Sequence, residues 1–164
     1  MKKSLWILSL LWVLVLSWCG GSNVVEYNDK FVAVVKECTD ANQTLFQNFN
    51  ADGATLDSIE QSIQDNITIC EWAHEKAEKI WDYEKDSSLK DAVVSLLENE
   101  VLYLRKFAAT KPYRNIDNLT DEDKDAYNWI VSELNELQTT LNQQFTNLQD
   151  IQEAFATKHW LKLE

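Results

Sequence analysis

Apolar residues recur every three or four positions along four separate stretches of this chain, and one proline and three glycines are all that punctuate its 164 residues. Such spacing gathers the apolar side chains on one face of a helix. So few turn-formers leave no room for the many short strands of a sandwich or barrel. The expected fold is therefore all-α, an up-down antiparallel four-helix bundle over residues 24–164 that follows an N-terminal signal peptide.

The first stretch, 24–49, carries Val24, Tyr27, Phe31, Val34, Val35, Cys38, Leu45 and Phe46 on one stripe. Charged residues such as Glu26, Lys30, Lys36 and Asp40 lie between them. Asn50-Ala51-Asp52-Gly53 then offers a turn, with glycine where positive φ is cheap. Thr55 and Asp57 can cap a second helix, 55–82, striped by Leu56, Ile59, Ile63, Ile67, Cys70, Ala73, Ala77 and Ile80. After a polar turn, Ser88 and Asp91 form a weak capping box that opens a third helix, 88–110. Leu89, Val93, Leu96, Leu97, Val101, Leu104 and Phe107 line its inner face, Glu98 and Glu100 read as a solvated flank, and Pro112 stops it.

The fourth stretch has the clearest periodicity. Thr120 supplies a capping hydroxyl, and Asp121, Glu122 and Asp123 suit the positive end of the helix dipole. Tyr127, Ile130, Leu134, Leu137, Leu141, Phe145, Leu148, Ile151 and Phe155 follow at heptad-like intervals. At roughly 1.5 Å per residue, a helix over 120–159 reaches almost 60 Å, long enough to span the bundle and project from it.

The first 23 residues read as an export leader: Lys2 and Lys3, an apolar run from Leu5 to Leu16, then Cys19 and two glycines. The run is shorter than the roughly 20 residues that span a bilayer. Leu16-Ser17-Trp18-Cys19 resembles the lipobox of bacterial lipoproteins. The resemblance implies a signal peptide over 1–18, a lipidated tether over 19–23 with diacylglycerol on the Cys19 sulfur, and a membrane-anchored domain outside the cytoplasm. The bundle resembles small helical lipoproteins only generically. Trp18 departs from the pattern, which has a small residue before the cysteine. An uncleaved signal anchor and a secretory leader cut elsewhere are the alternatives, and all three readings export the body.

Seven tryptophans beside three glycines is an unusual balance, since glycine averages about 7% of residues. Reading all seven as glycine restores that average, turns the lipobox into Leu-Ser-Gly-Cys and gives a helix-stop glycine at positions 81 and 160. A gene from a bacterium that decodes UGA as glycine would produce this pattern. UGG codons would exclude it, leaving a tryptophan-rich chain.

Without the leader lysines, 13 basic residues face 27 acidic ones. The resulting charge of about −14 at ordinary pKa values repels nucleic acid and anionic headgroups. Cys38 and Cys70 remain as a pair, and outside the cytoplasm a pair favours a disulfide over two core thiols. If the chain reverses near Gly53, the two cysteines lie at nearly the same height on adjacent helices.

Chemical motifs are sparse. Glu71-x-x-His74 is half of the carboxylate–histidine signature of di-iron bundles. His159, the other histidine, lacks a companion glutamate, so a surface pair is the plainer reading. No Gly-rich phosphate loop, C-x-x-C-H or G-x-S-x-G occurs. Tyr113, Arg114 and Asn115 open the longest irregular connection and form the candidate binding loop, with a plain connector as the alternative. Asn42, Asn66 and Asn118 begin glycosylation sequons, which carry no meaning behind a bacterial leader. The expectation is a non-enzymatic envelope interaction or structural module without cofactor, held to the membrane through Cys19 and, in the interaction reading, to an envelope protein. The alternative of another class is a carrier of a small ligand or metal, with Cys38, Cys70, Glu71 and His74 clustered.

Overall fold

The computed structural model describes residues 22–50, 53, 55–113 and 119–160. The signal peptide over 1–18, Cys19, and Arg114 and Asn115 of the candidate loop lie outside them. Four helices make the fold: α1 (Ser22–Phe49), α2 (Leu56–Lys79), α3 (Ser88–Ala108) and α4 (Asp121–Trp160), with a short 3-10 turn at Lys111–Tyr113. They pack as a helical bundle, as the periodicity required. Among the described residues, no helix is long and apolar enough to cross a membrane.

Local chemistry sets the helix ends. At α2, the Ser58 N–H donates to Thr55 Oγ1 at 3.2 Å and the Thr55 N–H to Ser58 Oγ at 3.0 Å, a reciprocal cap. Thr120 and Asp123 repeat the device at α4, at 3.2 and 2.9 Å. Those bonds from Thr120 hold the Asp123 carboxyl below the usual carboxylate range. Helix α2 stops at Lys79, three residues earlier than expected, because Ile80 turns to extended backbone. Helix α3 begins behind Ser87 rather than through a Ser88 box. Ser87 Oγ donates to Asp91 Oδ2 at 2.6 Å, and the Ser88 N–H goes to Asp86 Oδ1 at 3.1 Å.

Consecutive helices pack along their lengths, α1 on α2, α2 on α3 and α3 on α4, while the backbones of α1 and α4 meet only sparsely. Large side chains fill that seam. Tyr27 stacks on Phe155 with ring centroids 5.3 Å apart, and Gln152 Nε2 donates to Asn28 Oδ1 at 3.2 Å. Phe31, Ile63, Leu89 and Val93 have no exposed surface, and burying each side chain contributes roughly 1.5–3 kcal/mol. Cys38 and Cys70 form a disulfide between α1 and α2 with Cα atoms 4.6 Å apart.

Register explains the length of α4. Ser95 and Asn99 of α3 both bond Gln144, and Lys106 pairs with Glu133 at 2.6 Å. Since α3 ends at Ala108, the first turns of α4 extend past it. There the 3-10 turn meets them, with Tyr113 6.2 Å from Tyr127. Trp72, Trp81 and Trp129 are each about 60% or more exposed, whereas tryptophan is on average highly buried.

Candidate functional site

The bundle core holds three polar side chains in contact: Asn42 on α1, Asn66 on α2 and Glu100 on α3. Glu100 is 3% exposed, which corrects the expectation that it belongs to a solvated flank. Leu96, Leu97 and Leu104 are one helical turn away on either side, so the stripe that buries them buries Glu100 too. Asn42 Nδ2 donates to Glu100 Oε2 at 3.1 Å, and Asn66 Nδ2 donates to Asn42 Oδ1 at 2.8 Å. This chain of bonds ends beside the disulfide, where Cys70 Sγ is 3.5 Å from Asn66 Oδ1. The other carboxyl oxygen, Glu100 Oε1, is buried and meets no donor among the described residues. Burial raises the Glu100 pKa to about 7, with the Asn42 bond opposing.

Beside Glu100 a partly open cavity of about 20 Å³ lies between α1, α3 and α4. Such a volume accommodates about one water-sized group. Asn42, Glu100 and Gln138 are its polar lining; Phe46, Tyr103 and Phe107 supply aromatic walls, and Leu45, Leu104 and Leu141 complete it. Burial and the neighbouring Glu100 push the Tyr103 phenol above its ordinary 10.0. A buried acid that titrates near neutrality, with one oxygen unpaired at a cavity, can exchange a proton or receive a cation.

A second polar cluster closes the opposite end. Glu84 and Lys85, in the turn between α2 and α3, have φ of 48° and 67°. Left-handed backbone at two non-glycine residues costs roughly 1–2 kcal/mol each. Asp86 secures the turn: its N–H donates to the Tyr83 carbonyl at 2.8 Å, and its carboxylate accepts from Ser88 Oγ at 2.6 Å and Lys158 Nζ at 2.5 Å. His159 Nε2 lies 3.1 Å from Asp86 Oδ2. Hydrogen bonds from Lys158, Ser88 and His159 hold the Asp86 carboxyl far below the carboxylate range. His159 is 3% exposed, packed against Tyr83 and Phe155 with ring centroids 4.9 and 4.5 Å away. The cluster fastens the last turn of α4 onto the start of α3.

Other residues singled out in the sequence stand apart from both clusters. Glu71 pairs with Arg105 Nη2 at 2.6 Å, and His74 Nδ1 is 4.0 Å from Glu78. Among the described residues, no group of three His, Cys, Asp or Glu side chains is placed to hold a metal ion. Tyr113 packs its ring near Tyr127 at the far end of the bundle. Comparison with protein-family models, curated proteins and solved structures finds no match.

Proposed function

We propose that the chain is an extracytoplasmic lipoprotein, tethered through a lipidated Cys19, whose bundle is a non-enzymatic interaction or structural module of the cell envelope. The observation that carries this reading is the Cys38–Cys70 disulfide, which clamps α1 to α2. Such bonds persist in oxidising compartments and are rare in cytosol, in keeping with the leader. Helix α1 starts at Ser22, three residues after Cys19. At about 3.5 Å per residue the tether is at most about 10 Å long. The end that carries Asp86 and His159 then lies nearest the bilayer. The end with exposed Phe49, exposed Leu56 and Tyr113 faces outward, available to a partner.

Intact mass of the membrane-extracted protein tests the reading. The expected species begins at Cys19, carries acyl mass and is two protons light for one disulfide. Retention of residues 1–18 would establish a signal anchor and sink the lipoprotein assignment, and an unacylated shorter chain would establish a secreted one.

A further inference from the structure

Glu100 is a costly side chain to hold in the core, because a buried carboxylate without a cationic partner forfeits its hydration. Among the described residues no lysine, arginine or histidine pairs with it. Its Oε2 accepts from Asn42 and its Oε1 meets nothing. Acceptors predominate around the cavity, with the Tyr103 hydroxyl able to donate or accept. Asn42 spends its N–H groups on Glu100 and toward Cys38 Sγ, 3.9 Å away, and its carbonyl on Asn66. Gln138 turns its amide nitrogen to Asn142 Oδ1 at 3.5 Å, which leaves its carbonyl oxygen to accept. Glu100 and Gln138 therefore present acceptors, and the ionised Glu100 disfavours anions and suits a group with N–H donors. Phe46, Tyr103 and Phe107 add aromatic walls, whose faces attract cations and whose surfaces shelter methylene groups. A formal charge of −12 over the whole chain draws cations toward the protein.

We propose that this cavity binds the ammonium head of a primary alkylamine, with Glu100 as counter-ion, Gln138 as a second acceptor and the alkyl stem running out along the aromatic walls. A cavity of about 20 Å³ admits a head the size of water, and a quaternary ammonium is too bulky and has no N–H to give. Asn42 of α1 bonds Glu100, and Asn66 of α2 reaches it only through Asn42; Tyr103 of α3 and Gln138 of α4 line the same cavity, so ionisation of Glu100 governs capture around neutral pH. The inference is independent of the anchor at Cys19, since the cavity belongs to the bundle whether or not the leader is lipidated.

The test is calorimetric titration of the full chain in detergent with n-butylammonium chloride at constant ionic strength, beside n-butanol and tetramethylammonium. One saturable site is expected at pH 8, with affinity about tenfold lower at pH 6, where most Glu100 is protonated given its pKa of about 7. Glu100→Gln is expected to lose at least tenfold at pH 8, and Gln138→Leu severalfold. Absence of a saturable site, equal binding of butanol or tetramethylammonium, or unchanged binding in Glu100→Gln would each overturn the proposal. If Glu100→Gln fails to fold, carbon-13 NMR of the wild-type Glu100 carboxyl decides. Saturating butylammonium must move its titration midpoint to lower pH, and an unmoved midpoint overturns the site. Nα-acetyl-lysine methylamide forms the last arm: tighter binding than butylammonium assigns the head to a protein lysine, and weaker binding assigns it to a free amine.

Discussion

Replacing Glu100 by glutamine is expected to remove most of the acid-to-alkaline loss of stability in this fold. Glu100 titrates near 7 in the folded chain against an ordinary 4.5, because burial penalises its charged form. The folded state thus holds a proton that the unfolded state has released. Stability from the neutral carboxyl is fully present below about 4.5 and is lost as pH rises through about 7. At about 1.4 kcal/mol per pH unit, the interval corresponds to ~3 kcal/mol. Asp86 acts oppositely, since its depressed pKa adds stability above the ordinary carboxylate range that is lost only in stronger acid. General repulsion among acidic groups also grows with pH, but it is common to both proteins and cancels in their difference. The glutamine carbonyl can keep the bond from Asn42, so the variant is expected to match wild type within about 1 kcal/mol at pH 4.5. At pH 8.5 it is expected to exceed wild type by ~3 kcal/mol. Urea unfolding of both oxidised proteins at the two pH values measures this. Parallel pH profiles would show that Glu100 ionises in the core without cost and would refute its raised pKa.

Loss of the disulfide in Cys38→Ala/Cys70→Ala frees a loop of 32 residues, which chain-entropy reasoning values at about 4 kcal/mol; urea midpoints of oxidised wild type and the double variant check it. Phe155→Ala removes a ring that touches Tyr27, Tyr83 and His159. A cost of about 3–5 kcal/mol is expected in thermal or urea unfolding, and a cost under ~1 kcal/mol would show that the α1–α4 seam does not depend on it. Trp72, Trp81 and Trp129 are exposed, so a small residue would leave no gap there; gene sequencing finds UGA at the tryptophan positions if they are decoded as glycine, and UGG there rejects that reading.

Most of the architecture was legible because periodicity and capping act locally. Thr55 and Thr120 cap where their sequence neighbours said they would, and the height argument for Cys38 and Cys70 needed only helix rise and one turn. Glu100 is hard to place from sequence because Glu98, two residues away, is exposed, and two like charges so close read as one solvated flank. The stripe itself held the better signal. The apolar run on α1 skips from Cys38 to Leu45, and Asn42 sits one turn after the first and just under one turn before the second. Asn66 falls between Ile63 and Cys70 in the same way. A polar residue at a core position on each of three helices marks a buried network, but which of them meet depends on relative helix heights. His159 was opaque for a different reason. Its partners Glu84 and Asp86 lie more than 70 residues away, in a turn whose left-handed backbone no local pattern announces.

Helices that pack in chain order, with first and last meeting mainly through side chains, also govern how this molecule assembles. Each helix finds its principal neighbour as the next one along the chain, so contacts are mostly local and loop-closure costs are small. Chains of that type fold in microseconds to milliseconds. The stacking of Tyr27 on Phe155 joins residues 128 positions apart, and in such a scheme it forms after the successive hairpins. Helix α4, which no disulfide ties to the rest, is expected to open locally and exchange its amides before α1 and α2, which the Cys38–Cys70 bond holds together.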